Sequence, residues 1–414
     1  MVTKKDAKIA ILHSSFTESG GAERVVLTQV ELLHNNGYFV DCYGILVDSK
    51  KCFSEKVLKF NVKQYLKLVP NIKLSYSIGV PLTVLFSKKI VNLLGKYDVM
   101  ICHHQPAPWL AYKTCIRHNK PYICYIHHPL RFLYPRPVDR MLGWGYTLDR
   151  KLVEIFGKNL DFIRKADKTS ILKADKILVN SVKTLKEVKR IYGVNATVCY
   201  PPFSVKNRWK SSDDVDKNLK VKFFSSIGLP EEKSNPVILM VSRHTPHKRL
   251  DWLLRIFKLV RREVNCWLIV AGAFHSTYTS KIMDLALKLE VSDRVRFTGK
   301  VSDYTLSLLY LFSDVYVYTP PNEDFGLGPV EAMGYGKPVV VWDEDGPGEI
   351  VVDGVTGFKV KPYMLNEFAE KIVKLLSDED LRRKMGLNAK EYVETNFSPE
   401  NHFKVLEKTL KSVL

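Results

Sequence analysis

The sequence predicts an α/β protein built as two doubly wound, Rossmann-like domains facing a central cleft. Three observations lead there. Short apolar runs that read as buried parallel strands alternate with helical stretches along most of the chain. The alternation stops once, between residues 200 and 236, where prolines, serines and mixed charge replace it, and then resumes. Finally, 414 residues with 46% apolar content are more than a single core ordinarily holds. The expected division is an N-terminal Rossmann-like domain over residues 1–205, a linker over 206–232, a second Rossmann-like domain over 233–395, and a C-terminal helix over 396–414 that packs back on the N-terminal domain.

In order, KIAILH (8–13) reads as a buried strand, and FTESGGAERVVLTQVELLHNNG supplies a glycine turn, a helix and a stop at Gly37. Strand candidates follow at 38–46, 97–103, 121–127, 176–180 and 196–199. After the break come VILMVS (237–242), a helix from about 248 to 262, CWLIVAG (266–272), a helix to 289, VRFTG (295–299), DVYVYT (314–319) and PVVVW (338–342). The stretch from Leu365 to Leu414 reads as helical throughout. In doubly wound sheets ligands bind beyond the carboxyl ends of the strands, so the loops there are where chemistry is sought.

Charge and cysteine usage narrow the classes. A formal charge of +19 calls for an anionic partner: nucleic acid, anionic lipid or a phosphorylated substrate. Ten lysines and one acid, Glu55, lie between residues 50 and 96 among Phe53, Phe60, Tyr65, Tyr76 and Phe86, a pattern that fits either a solvated surface insertion or a patch resting on anionic headgroups. A second basic zone, 150–190, reads as an exposed helical face. Seven cysteines with no C-x-x-C pair argue against a disulfide framework or a zinc ribbon and for a reducing compartment. The N-terminal apolar run is too short for a signal peptide, and no window reaches the length of a membrane span. The expected location is cytoplasmic, peripheral on a membrane face.

Four constellations could carry chemistry. In NEDFGLGPVEAMGYGKP (322–338), Glu323 and Glu331 flank Gly326, Gly328 and Pro329, with Pro329 expected at the first helical position and Glu331 in the first turn. Such a loop offers free backbone N–H groups and a positive helix end to an anion or a hydroxyl-rich ligand. SRHTPHKRLD places Arg243 and Lys248 after the first strand of the second domain as a diphosphate clamp. Gly20 and Gly21 give a strand, glycine, helix layout suited to close backbone approach, although a bare tight turn would look the same. His127 and His128 follow a strand end, where one imidazole could contact a sugar hydroxyl or shuttle a proton. A zinc site joining these to His103, His104 and Cys102 is set aside, because adjacent histidines should point to opposite faces of a strand.

Taken together, SGGAER (19–24), YIHHPLRFLY (125–134), VNS (179–181), CYPP (199–202), VSRHTPHKRLD (241–251), RVRFTGKVSD (294–303), PPNEDFGLGPVEAMGYGKPVV (320–340) and GPGEIVVDGVTGF (346–358) resemble, in order and over nearly the whole length, the retaining nucleotide-sugar glycosyltransferases of family 4, which have the GT-B fold. The resemblance implies that Glu331 holds the donor ribose and that Glu323 sits by the transferred sugar, with the amides around Phe325, Gly326 and Leu327 on its hydroxyls. It also implies that Arg243 and Lys248 stabilise the departing diphosphate, that Gly299 to Val301 border the base, that His127 lies at the sugar pocket, and that Gly20 and Gly21 lie near the donor phosphate. His128 departs from the small residue usual after that histidine, and His244 and His247 crowd the clamp loop.

The function this implies is retaining transfer of a hexose, mannose first, from a nucleoside diphosphate to an acceptor hydroxyl, with a lipid-linked glycan as acceptor, an anionic membrane surface as peripheral partner, and no cofactor, metal or nucleic acid. A UDP-hexose donor with a soluble or polysaccharide acceptor is the alternative. A hydrolase using the two glutamates as an acid–base pair, a sugar-nucleotide epimerase and a basic nucleic-acid-binding protein are weaker rivals. The last leaves the acid pair in its glycine loop unexplained.

Overall fold

The computed structural model describes residues 6–65, 87–131, 133–141, 160–203, 217–229 and 235–414, and these fall into two compact units, 1–202 with 399–414, and 203–398. Lys67, Lys73, Tyr76 and Phe86 of the basic stretch, residues 150–159 of the second basic zone, and 204–216 and 230–234 of the connection lie outside the described residues.

The first unit holds a parallel sheet of β1 (Lys8–Phe16), β2 (Phe39–Val47), β3 (Lys63–Gln64), β4 (Val99–His103), β5 (Tyr122–Ile126), β6 (Lys176–Val179) and β7 (Thr197–Val198) in the order β3-β2-β1-β4-β5-β6-β7. Because side chains alternate across a strand, Ile9 and Ile11 enter one core with Val99, Ile101, Ile123 and Tyr125, while Ala10 and Leu12 enter the other with Met100, Cys102, Tyr122 and Cys124. Burial on both faces is why these strands read as continuous apolar runs. The helix Gly21–Asn35 covers the first face through Val26, Val30 and Leu33. Beside it packs the helix Pro399–Lys411, whose Leu406 and Leu410 join the same core and whose Glu407 accepts a 2.9 Å hydrogen bond from the Tyr38 hydroxyl.

The second unit repeats the plan with β8 (Val237–Val241), β9 (Trp267–Ala271), β10 (Val295–Gly299), β11 (Val315–Tyr318), β12 (Val339–Trp342) and β13 (Gly357–Val360), all parallel, in the order β10-β9-β8-β11-β12-β13. The order reverses between β1 and β4 in one sheet and between β8 and β11 in the other, which makes these the switch points of a doubly wound fold.

The sequence reading omitted β3 and β13. The former is two residues long, and the latter, GFKV, begins with a glycine whose Cβ would lie 2.1 Å from the Val339 carbonyl oxygen. The C-terminal stretch expected to be helical throughout is three helices, Leu365–Ser377, Glu379–Asn396 and Pro399–Lys411. It breaks at Asp378, whose side chain caps the next helix by accepting from the Leu381 N–H, and again ahead of Pro399.

Lys56, Lys59 and Lys63 of the basic stretch have acidic partners within the protein. Lys56 and Lys59 both pair with Glu31, and Lys63 sits 2.7 Å from Asp41. Among the described residues, no helix is long and apolar enough to cross a membrane.

Because Leu406 is fully buried in the first unit, Leu406→Ala should destabilise that unit by about 2–5 kcal/mol. Native-state hydrogen exchange will read this as lost protection in β1 and β4, with β8 to β12 unchanged.

Candidate functional site

In the second unit the site grows from the carboxyl ends of β8, β10 and β11. β11 reads VYVY, and its alternation puts Tyr316 and Tyr318 on one face, their rings stacked with centroids 6.4 Å apart. The chain then turns through Pro320 and Pro321 to Asn322, whose φ of 53° is left-handed. The next helix, Leu327–Gly334, begins two residues earlier than expected, because Gly326 at φ 110° takes the cap position. Pro329 is therefore the third helical residue and Glu331 the fifth, so Glu331 lies in the second turn rather than the first.

Glu323 and Lys248 meet. Lys248 Nζ lies 3.0 Å from Glu323 Oε1, and both side chains are only about one-eighth exposed. The Tyr318 hydroxyl completes a triangle, accepting from Lys248 Nζ at 3.2 Å and donating to Glu323 Oε2 at 3.2 Å. Glu331, buried, accepts a 2.6 Å hydrogen bond from the Tyr310 hydroxyl through Oε2. The two glutamates are thus held by two different tyrosines. Glu323 belongs to an ammonium–phenol cluster, and Glu331 to an aromatic wall in which Tyr310 stacks on Tyr335 at 5.4 Å.

The glutamate loop is fixed from below by the GPG segment of the short helix Asp345–Ile350 after β12. The Gly346 N–H donates to the Glu323 carbonyl at 3.0 Å, and a Cβ on Gly346 would stand 2.4 Å from the Phe325 carbonyl oxygen and Cα. The Asn322 N–H donates to Glu344 at 3.2 Å. Phe325 is buried, so the amides around Gly326 and Leu327 rest on a fixed support.

Arg243 is exposed on the loop after β8 that also carries Lys248, which occupies a short 3-10 turn, Pro246–Lys248. Arg249, a third cation beside them, has a structural task, with two hydrogen bonds to the Asp251 carboxylate at 2.9 and 2.7 Å and its guanidinium 3.6 Å over the Trp252 ring. His244 and His247 do not crowd the loop's open side. Both are buried, His244 packs against Phe274 and Phe297, and burial pulls its pKa down to about 4. Gly299, at φ 71°, accepts from the Gly272 N–H at 3.0 Å, and the partly exposed Val301 follows two residues later. Gly272 in turn lies so close to the loop after β8 that a Cβ would meet the Ser242 carbonyl oxygen at 1.8 Å.

In the first unit, Gly20 and Gly21 open the helix Gly21–Asn35, and Gly20 has ordinary extended backbone. Its missing side chain also leaves room for Glu23. A Cβ there would stand 2.4 Å from a carboxylate oxygen of Glu23, which turns back to accept a 3.2 Å hydrogen bond from His13 Nε2. Burial pushes the Glu23 carboxyl up, but the His13 hydrogen bond and charge more than offset it and leave the group below its ordinary value.

The expectation that neighbouring histidines diverge does not hold. His103 ends β4, His127 follows β5, and the rings gather, with His103 Nδ1 3.0 Å from His127 Nε2, His104 stacked on His127 at 4.9 Å, and His128 4.6 Å from His104. Strand ends release the side chains from the strict alternation of a pleat. Burial first, then the like charges around them, hold His103 and His127 well below the ordinary imidazole range, and His104 at about 3. Among the described residues no group of three or more histidines, cysteines or carboxylates is arranged to hold a metal ion.

Sequence reasoning missed Tyr318, Tyr310, His13 and Glu23 as site residues. The aromatic alternation of VYVY immediately before the glutamate loop was the signal for Tyr318. None in the sequence points to Tyr310.

Gly346→Ala should push Phe325 aside and speed amide exchange across 322–331. Gly354→Ala, also in the second unit but at φ 71° with open space around its Cβ, should cost only roughly 1–2 kcal/mol and leave those amides unchanged. Hydrogen-exchange mass spectrometry on the two variants checks this, and equal exchange in both would contradict it.

The sequence matches the Glycosyltransferase Family 4 profile over residues 19–206 and the Glycosyl transferases group 1 profile over residues 222–392. It is 28% identical over 322 residues to an uncharacterized glycosyltransferase of Methanocaldococcus jannaschii, covering 76% of this chain and 75% of that one. It is 27% identical over 412 residues to the alpha-1,3/1,6-mannosyltransferase ALG2 of Homo sapiens, covering 92% and 90%. In architecture it resembles Anabaena HepE, solved in complex with UDP, with a TM-score of 0.76 at 19% identity over 98% of this chain and 100% of that one. Two consecutive family segments, two doubly wound sheets and a glutamate loop at the second switch point lead to one conclusion: the chain is a glycosyltransferase of family 4 with the GT-B fold, and it is mannosyltransferase-like.

Proposed function

We propose that the protein transfers a hexose, mannose first, from a nucleoside diphosphate to an acceptor hydroxyl with retention of anomeric configuration, using no metal or cofactor. The observation that carries this reading is the Lys248–Glu323–Tyr318 triangle at the β8/β11 switch point, one loop away from a separately held Glu331. Transfer separates a sugar cation from a diphosphate anion, so fixed cations and helix-end amides are what the transition state needs. Lys248 and Arg243 supply the cations. The amides of Phe325, Gly326 and Leu327 supply donors to the sugar, Glu331 holds the ribose hydroxyls, and Gly299 to Val301 border the base.

In the proposed step the acceptor oxygen bonds to the anomeric carbon on the face from which the diphosphate departs. The bond from that carbon to the phosphate oxygen breaks, and the acceptor proton passes to the departing phosphate. Glu323, with Lys248 beside it, would face the developing positive charge at the sugar. A hydrolase's acid–base pair would instead need both carboxyls on one reacting centre, and their different tyrosine partners speak for separate tasks. In the first unit, His127 is assigned to a donor-sugar hydroxyl, Gly20 and Gly21 to the donor phosphate, and the acceptor to this unit as a whole. A lipid-linked glycan on an anionic membrane surface is the acceptor we favour.

The likeness to ALG2 mannosyltransferases favours GDP-mannose, and the UDP bound to Anabaena HepE keeps UDP-hexoses as the alternative. A panel of GDP-mannose, UDP-glucose, UDP-galactose and UDP-N-acetylglucosamine, read by thermal shift and turnover, decides between them. On the preferred donor, Glu331→Ala should weaken nucleotide binding about tenfold or more, while Glu323→Ala should lower turnover on the order of 100-fold with binding nearly intact. The reverse order would mean that the two roles are exchanged.

A further inference from the structure

A chain of buried hydrogen bonds runs from the C-terminal helix to His127, and its chemistry allows a single arrangement of protons. It starts at the Tyr200 carbonyl, which can only accept, 2.6 Å from His402 Nδ1. His402 therefore carries its proton on Nδ1, a nitrogen that also lies 3.4 Å from Cys199 Sγ. The ring is buried, which pulls its pKa down to about 4 and keeps it neutral, so Nε2 bears a lone pair. Gln29 faces it with Nε2 at 3.1 Å and must donate. That fixes the Gln29 amide, whose Oε1, 3.0 Å from His103 Nε2, must accept. His103 is thus protonated on Nε2 and, being neutral, offers a lone pair on Nδ1 to His127 Nε2 at 3.0 Å.

Gln29, His103, His127 and His402 are all buried, so water does not compete for these contacts. The Thr184 hydroxyl, 3.5 Å from the His127 carbonyl, is a further contact at that strand end. His127 also touches His104 and Tyr125 through its ring faces, at 4.9 Å each.

We infer that Gln29 and His402 are positioning residues that hold His127 as the Nε2–H tautomer, leaving the Nδ1 lone pair as its free functional atom. A neutral imidazole presenting a lone pair accepts a hydrogen bond from a sugar hydroxyl, whereas the other tautomer would donate one, so the relay sets which kind of group His127 receives. The helix Pro399–Lys411 thereby takes part in the function of the first unit and not only in its packing. The link to transfer rests on the proposed role of His127, while the tautomer itself does not.

Ring-15N-histidine NMR of the full-length protein tests the inference, with His127→Asn to assign the signal. The expected result for the unsubstituted protein at neutral pH is one His127 tautomer, pyrrole-type at Nε2 and pyridine-type at Nδ1. A proton on Nδ1, an averaged mixture or a charged ring would overturn the inference whether or not any donor is turned over. Gln29→Leu cuts the relay at similar volume and should drive His127 toward mixed tautomers. With the preferred donor, it should also lower kcat about 10- to 100-fold, the range seen when a functional histidine loses its outer partner, with nucleotide affinity unchanged. Gln29→Glu keeps the acceptor for His103 and should restore the single tautomer. A folded Gln29→Leu protein with an unchanged His127 signal would contradict the proposal, whereas the expected tautomer changes with no turnover of any donor, by the unsubstituted protein included, would instead count against the glycosyl-transfer reading.

Discussion

The second unit depends on an ion pair, largely shielded from water, at the point where its sheet changes direction. β8 and β11 are neighbours, but the chain leaves them toward opposite sides. Lys248 and Glu323 join the loops that follow, with Tyr318 hydrogen bonded to both and the Thr319 hydroxyl donating to the Lys248 and Arg249 carbonyls. The tight glycines serve the same junction. Gly346 must let the helix Asp345–Ile350 approach Phe325, Gly326 must turn left-handed to start the helix Leu327–Gly334, and Gly328 must clear the Tyr316 hydroxyl, which a Cβ would meet at 2.2 Å.

The first unit gathers imidazoles at the corresponding point. At its switch point, His13 of β1 stands in register with His103 of β4, and His127 follows β5. Of these three rings, only His13 has a carboxylate partner among the described residues, Glu23, within hydrogen-bonding reach, and burial holds His103 and His127 well below the ordinary imidazole range. One unit therefore presents cations beside a glutamate loop, and the other a cluster of oriented imidazoles with one carboxylate. The proposed division between donor and acceptor follows this chemical difference.

Much of this was legible in the sequence because strands buried on both faces leave uninterrupted apolar runs, and because glycines and prolines punctuate the loops after them. β1, β4, β5, β8, β9 and β11 were placed within a few residues for that reason. β3 and β13 were not, since two residues and a glycine-led GFKV carry too little pattern. The Glu323–Lys248 contact joins residues 75 positions apart in the numbering, which only the parallel pairing of β8 with β11 brings together. The histidine relay left a fainter trace. His402, Leu406 and Leu410 recur at helical spacing, and Gln29 lies on the buried stripe with Val26, Val30 and Leu33, so polar residues occupy core positions in both helices. A polar residue in such a stripe signals a buried partner without naming it.

The central claim is that this arrangement stabilises departure of a diphosphate and delivers the acceptor to the same face of the sugar. Proton NMR of the first-formed glycoside, recorded before the anomers can equilibrate, tests it most directly. With GDP-mannose as donor, whose mannose is α-linked, the account predicts an α-linked product. A β-linked product would show attack from the opposite face and contradict the proposed mechanism.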